Sequence, residues 1–317
     1  MVHNRHTRRV GQERLIPEMP LPHSSPQVLS AGWKSVDPAV AGWTYVGFQV
    51  VTLAAGGSVT LPSSDQERAF VPLSGRVKAT IPADADQDAG REWELGGREN
   101  VFAGLGWCLY LPCQTTVTLV ALTDVEVAVA EAPATSRHAP VLVTPDDAQI
   151  ELRGGGNASR QVNSLMPPAF PADRLLVVEV WTPGGNWSSF PPHKHEHDTD
   201  DGAEAELEET YYYRLRDPEN GWAVQRVYSP ERNFDLTVTV RDGDILLIPW
   251  GYHTTAAIHG HDLYYLNVLA GPAPRRTLQA FQDPCLRQTQ DAWPQLGLDE
   301  RLPIVPRHPA EPPAQPA

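Results

Sequence analysis

Trp43-Thr-Tyr-Val-Gly-Phe-Gln-Val-Val-Thr-Leu53 alternates apolar and polar side chains, Ala54-Ala-Gly-Gly-Ser58 turns, and Val59-Thr-Leu61 takes up the alternation again. A period of two, a glycine turn and a second period of two make a β-meander. Similar short runs follow at Ala69 to Leu73, Arg76 to Ile81, Arg91 to Leu95, Cys108 to Pro112, Thr116 to Leu122 and Val125 to Ala130, set off by Gly, Pro, Asp or Asn. Strands at this spacing predict a sandwich or barrel.

A second set begins at Leu175-Leu-Val-Val-Glu-Val-Trp181. It continues through Glu209 to Leu215, Ala223 to Tyr228, Asp235 to Val240, Asp244 to Pro249, His253 to Ile258 and Leu263 to Ala270. Between the sets, Ala132 to Pro145 is proline-rich and Gly154-Gly-Gly-Asn157 supplies a flexible point, the pattern of a domain boundary. The expected fold class is all-β, with two domains of similar size, antiparallel β-sandwiches or β-barrels (jelly-roll-like), at 31–140 and 141–275. Residues 1–30 are expected as an arm, mobile or added as a late strand, and 276–317 as a Pro-rich extension, partly disordered.

The rest of the composition narrows the function. At 317 residues the chain can bury a sizeable core, and 31 Pro with 24 Gly suits many short strands joined by turns. A formal charge of −14 argues against a nucleic-acid partner, because phosphate binding needs clustered Lys and Arg. The three cysteines, Cys108, Cys113 and Cys285, show no CxxC spacing, so a reducing cytoplasm is the expected location. The polar, basic start lacks the apolar stretch of a secretory signal, and no run approaches a membrane span, so no membrane partner is expected.

Chemistry concentrates in Pro191-Pro-His-Lys-His-Glu-His197. The i, i+2 spacing puts His193 and His195 on one strand face, about 6 to 7 Å apart along the strand, where two imidazoles can converge on one ion. Glu209 opens the β-prone run Glu209-Thr-Tyr-Tyr-Tyr213, and His253 follows a turn after Asp244 to Pro249. His197 rivals His195 and Glu208 rivals Glu209 in the same pattern. Mixed nitrogen and oxygen ligation suits one divalent ion, Zn²⁺ or Mn²⁺ first and Fe²⁺ or Ni²⁺ next, rather than Ca²⁺ or Mg²⁺.

Five ordered blocks carry a resemblance: Pro183-Gly-Gly-Asn-Trp-Ser-Ser-Phe-Pro-Pro-His-Lys-His195, Glu208-Glu-Thr-Tyr-Tyr212, Gln225-Arg-Val-Tyr228, Gly251-Tyr-His253 and Leu263-Tyr-Tyr-Leu-Asn-Val-Leu-Ala-Gly-Pro272. Together with Leu95-Gly-Gly-Arg-Glu-Asn-Val-Phe102, they resemble the 5-deoxy-glucuronate isomerases of myo-inositol catabolism. These belong to the cupin superfamily and are related to the 4-deoxy-uronate ketol isomerases. The resemblance implies a bicupin whose second barrel holds the metal on His193, His195, Glu209 and His253. The first barrel, without an HxH pair, would serve as support or as a dimer surface.

The activity so implied is the interconversion of 5-deoxy-D-glucuronate with 5-dehydro-2-deoxy-D-gluconate, a metal-assisted aldose–ketose isomerisation of a small sugar acid. A general base must move the proton. Metal-bound hydroxide, Glu209 or a tyrosine of the run 211–213, Tyr212 first among them, could serve. For the substrate carboxylate Arg226 is preferred for its bidentate fork, as a catalytic and a substrate-binding residue. Gln225, Asn267 and Lys194 are further contacts, although alternation turns Lys194 away from its histidine neighbours. The competing classes are a cupin dioxygenase and a non-catalytic sugar-acid-binding bicupin. A homodimer is the expected assembly by analogy with paired cupins.

Overall fold

The computed structural model describes residues 25–29, 35–85, 88–272 and 276–307. In chain order the first group of elements is β1 (Gln27–Leu29), β2 (Ser35–Val36), the one-turn helix α1 (Pro38–Ala41), β3 (Gly47–Leu53), β4 (Ser58–Leu61), β5 (Gln66–Ser74), β6 (Arg76–Thr80), β7 (Glu92–Gly96), β8 (Cys108–Leu111), β9 (Val117–Ala121), β10 (Val125–Pro133) and β11 (Val141–Val143). The second group is β12 (Ile150–Arg153), β13 (Arg160–Met166), β14 (Leu176–Thr182), β15 (Trp187–Lys194), β16 (Glu208–Leu215), β17 (Ala223–Ser229), β18 (Phe234–Val240), β19 (Ile245–Ile248), β20 (Tyr252–Ala257), β21 (Leu263–Ala270), β22 (Phe281–Gln282) and α2 (Trp293–Leu296).

These strands form four antiparallel sheets. The first barrel packs β11-β8-β5-β10-β3-β2 against β4-β9-β6-β7, and the second packs β1-β19-β16-β21-β14-β13-β12 against β18-β17-β20-β15-β22. The all-β expectation therefore holds. Antiparallel sheets with one face on a core read as alternating sequence, which is why the runs were legible. The interior of the first barrel is filled by an apolar cluster that includes Phe70, Val77, Leu109, Leu119 and Val127.

A larger core lies between the barrels, where the broad sheet of each presents its outer face to the other. Phe48 meets Tyr212 at a ring separation of 5.5 Å, and Trp181, Tyr264 and Leu266 join Ala69, Tyr110 and Ala130 in this layer. Three carboxylates tie it together. Glu67 accepts from the amides of Asp173, Arg174 and Leu175. Glu208 accepts from those of Thr44, Tyr45 and Val46. Glu179 pairs with Arg98 at 2.8 Å, both side chains almost wholly buried. Because their polar partners sit on the opposite barrel, these carboxylates, Glu67 and Glu179 buried and Glu208 half-buried, fix how the two halves face each other.

β1, at the end of the expected arm, takes the added-strand alternative: it pairs with β19 and completes a sheet of the second barrel. Three features depart from the expected layout. β11 still pairs with β8 of the first barrel, which moves the crossing point past Val143. Gly154 to Asn157 is no hinge: it connects β12 to β13, two strands that alternation did not reveal. Residues 276–307 are packed against the second barrel through β22, which pairs with β15, and through Val305, whose backbone exchanges two hydrogen bonds with the Gln161 carboxamide. Residues 1–24 of the expected arm and 308–317 of the tail lie outside the described residues.

Candidate metal centre and substrate cleft

The centre lies between the two sheets of the second barrel. β15 and β20 bring His193 and His253 directly opposite each other. On the facing sheet, β16 and β21 point Glu209 and Asn267 inward. A register shift in β15 between Ser188 and His193 re-aims the strand, as bulges do. His195 follows one residue past the end of that strand.

His195, Glu209 and His253 each offer a ligand atom, and these atoms lie within 4.8 Å of one another. His195 Nε2 is 2.9 Å and His253 Nε2 3.1 Å from Glu209 Oε2. The His193 ring stands beside this trio, its centroid 4.6 Å from that of His253 and 6.5 Å from that of His195. Asn267 Nδ2 donates to the other oxygen of Glu209 at 2.6 Å and orients the carboxylate.

The donor set fits a metal ion on two grounds. Each imidazole turns Nδ1 to a backbone carbonyl: His193 to Pro191 (3.1 Å), His195 to Leu207 (2.6 Å) and His253 to Gly251 (3.0 Å). A carbonyl only accepts, so Nδ1 carries the proton and Nε2 is the atom left for a ligand bond, the outer-shell arrangement that prepares histidine for a metal. Moreover, His253 Nε2 is buried without a hydrogen bond, since its approach to Glu209 fails the directionality that one requires.

Electrostatics agree with this for Glu209 and His193. Burial alone would raise Glu209, but contacts with His195 and His253 outweigh it and bring the carboxyl down to about 2, so it is ionised. Burial, helped by the neighbouring His253, lowers His193 to about 3, so it is neutral. Burial also pulls His195 down, yet its bond to Glu209 more than reverses this and leaves the group above its ordinary value.

A cavity of about 130 Å³ opens on the centre. His193, His195, Glu209 and Asn267 line it together with Tyr211, Tyr265 and Ser189, with Arg153 and Arg160 from β12 and β13, and with Leu278 and Ala280 from the C-terminal segment. The Ser189 hydroxyl bonds to those of Tyr211 (2.9 Å) and Tyr265 (3.2 Å). Burial, aided by the charge of Glu209, holds the Tyr211 phenol far above its ordinary value and therefore protonated.

Several expected site residues fall elsewhere. Arg226 is exposed on the outer face of β17, bound bidentately by Asp235 at 2.9 and 2.7 Å, so it does not reach the cavity. Tyr212 alternates away from Glu209 into the layer between the barrels, where its hydroxyl meets Arg214. Lys194 also turns outward, over the Tyr252 ring and toward Glu196 and Glu231. Gln225 does point into the barrel, but its carboxamide oxygen accepts from Tyr213 and it lies outside the cavity wall. His197 is largely exposed beside Glu196, and Glu208 belongs to the inter-barrel layer.

The sequence reading missed Arg160, Arg153, Tyr211 as the inward tyrosine, and the C-terminal wall. Along β13 both faces are buried and both carry polar residues, since Gln161 and Asn163 alternate with Arg160 and Ser164. A period of two therefore gave no inward signal there.

The model of the KduI/IolB family matches residues 25–289. The 5-deoxy-glucuronate isomerase of Geobacillus kaustophilus (strain HTA426) is 44% identical over 251 residues, which span 78% of this chain and 87% of that protein. That of Bacillus subtilis (strain 168) is 38% identical over 243 residues, 76% of this chain and 86% of that protein. Among solved structures, an IolB-like protein from Salmonella typhimurium LT2 superposes with a TM-score of 0.76 at 36% identity, covering 82% of this chain and 97% of that one. An oxalate decarboxylase of Lactobacillus farciminis, at 14% identity and a TM-score of 0.55 over 78% of this chain and 87% of that one, shares the fold alone. With a family match that runs through both barrels and relatives at 38–44% identity over three quarters of the chain, this chain belongs to the KduI/IolB family.

Proposed function

We propose that this protein is a metal-dependent aldose–ketose isomerase that converts 5-deoxy-D-glucuronate to 5-dehydro-2-deoxy-D-gluconate. The observation that carries the proposal is the buried His195–Glu209–His253 group, its imidazoles committed through Nδ1 to carbonyls, at the bottom of a polar cavity in a chain whose relatives bear that activity. His193, His195, Glu209 and His253 would hold one divalent ion, Zn²⁺ or Mn²⁺ being our first choices. Such an ion acts as a Lewis acid on the carbonyl and adjacent hydroxyl oxygens without redox change.

The reaction gains and loses no atoms. Hydrogen leaves the hydroxyl-bearing carbon and its oxygen, and hydrogen arrives at the former aldehyde carbon and its oxygen. Tyr211, kept protonated, would donate to an oxygen that gains charge, and Ser189, itself bonded to the Tyr265 hydroxyl, holds its hydroxyl in position. Asn267 keeps Glu209 turned toward the histidines. The aliphatic wall from Val162, Val178 and Val180 limits water around the reacting carbons. The location we assign is the cytoplasm. Among the described residues no helix is long and apolar enough to cross a membrane.

The test is a proton NMR time course of 5-deoxy-D-glucuronate with the purified protein in D₂O, with and without a chelator. Chelator-sensitive formation of the ketose acid is expected, with deuterium entering the receiving carbon. Absence of turnover after each of several divalent ions is restored would reject the isomerase. Oxygen consumption in the same samples would put a dioxygenase in its place.

A further inference from the structure

Arg160 begins β13 and shares its inward face with Val162 and Ser164, lining the cavity that His193, His195 and Glu209 also line. It is 6% exposed. Its Nη1 donates to the Ala158 carbonyl at 3.0 Å, and its guanidinium lies 5.6 Å from the Trp293 ring of α2. Among the described residues no carboxylate comes within ion-pair distance of it. Glu151, whose charge reaches Arg160, is clasped by both forks of Arg153 at 2.8 and 2.7 Å.

A buried guanidinium without a carboxylate is costly, and the burial shows in a value pushed down to about 10, which leaves the group cationic at neutral pH. A contact through the guanidinium carbon over Trp293 leaves N–H groups at the edge of the fork for a planar, bidentate acceptor. From β13 to β16 the sheet runs through β14 and β21, three steps of about 4.8 Å each. The arginine side chain and an open sugar-acid chain together cover that span, with the carboxylate at one end and the carbonyl at the other.

We propose that Arg160 binds the substrate's carboxylate and that Trp293 is the positioning residue for its guanidinium. This rests on the sugar-acid reading above and names the group that recognises the acid. It also explains how a chain with a formal charge of −14 admits an anion, since the opening carries its own uncompensated cation.

The probe is 2-deoxy-D-gluconate, which has the carboxylate but no carbonyl to react, compared with its neutral primary amide. Binding of each to the metal-loaded protein is measured by calorimetry. The unaltered protein is expected to prefer the acid by roughly tenfold or more, the worth of a charge-assisted bidentate pair. Arg160→Gln should abolish that preference, weakening the acid by roughly tenfold while the amide changes by less than about twofold. Trp293→Ala should move the acid in the same direction by a smaller factor. Arg160→Lys, which keeps the charge but loses the fork, covers the case in which Arg160→Gln does not fold, and should weaken the acid by a few-fold.

Equal binding of acid and amide by the unaltered protein overturns the proposal. So does a preference for the acid that survives undiminished in the Arg160 substitutions. Loss of the preference in a protein that never isomerises 5-deoxy-D-glucuronate would reject the assigned reaction and leave the anion site standing. A merely structural Arg160 would lower the melting temperature and weaken both ligands alike.

Discussion

Glu208 and Glu209 are adjacent on β16, yet their carboxylates end in different halves of the molecule. Glu208 takes three backbone amides of the first barrel, from Thr44, Tyr45 and Val46, whereas Glu209 faces His195 and His253 inside the second. One strand thus joins the barrels and furnishes the centre, because successive side chains point to opposite faces. Substitution should separate the two roles. Glu209→Gln is expected to abolish metal retention, read by elemental analysis after dialysis, with little change in the urea midpoint of the metal-free protein. Glu208→Ala is expected to keep the metal and lower stability by about 1–3 kcal/mol, as three amides lose a charged acceptor. Equal metal loss in both would contradict the division.

Removing the ion should act on stability as well as on turnover. A ligand bound to the folded state alone stabilises it by mass action. Incubation with a chelator is therefore expected to lower the melting temperature and stop isomerisation together, and returning the ion should restore both. A melting curve that ignores the chelator would mean that the His195–Glu209–His253 group holds no ion.

Asn267 touches Glu209 but is not itself in the ligand group. Asn267→Ala should weaken metal affinity by roughly 10- to 100-fold, the usual effect of losing an outer hydrogen bond to a ligand. Competition with a fluorescent chelator measures it, and unchanged affinity would show that the carboxylate needs no such restraint.

Arg226→Gln should leave kcat/KM within about twofold, as expected for an exposed ion pair remote from the cavity. A large rise in KM would instead return Arg226 to the site.

The Arg98–Glu179 pair, buried between the barrels and joined by the Tyr264 hydroxyl, should be sensitive to loss of one partner. Glu179→Ala is expected to cost about 3–5 kcal/mol, because Arg98 would keep a buried charge without its counter-ion. Chemical denaturation reads this directly, and a change below about 1 kcal/mol would show that water reaches the pair.

The sequence disclosed what has a period. Strands β3 to β10, β14 and β16 to β21 present alternating, β-prone or continuously apolar runs, so the two barrels stood out, and the HxH spacing pointed to the centre. Direction was harder to read. In the run Tyr211 to Tyr213 alternation says that neighbours differ but not which one faces inward; pairing with β21 and β19 decides that Tyr211 and Tyr213 do, while Tyr212 meets Phe48. Arg226 and Arg160 make the same point. Both are strand arginines, and only the packing of one sheet on another separates an outer face that meets Asp235 from an inner one that meets a cavity. The C-terminal wall was invisible for a different reason: Leu278, Ala280 and Trp293 lie in chain without periodicity, held by contacts to residues more than a hundred positions earlier or to the edge of β15.

That wall ties the timing of function to the direction of synthesis. The first barrel can close on the ribosome once its own strands have emerged, but β1, made before every other strand described, must wait for β19 before it has a partner. The cavity is lined by residues as late as Ala280, and Arg160 meets Trp293 later still. A nascent chain carrying all four proposed metal ligands therefore still has an unfinished cleft, and the opening acquires its shape only as the last segment of the fold leaves the ribosome.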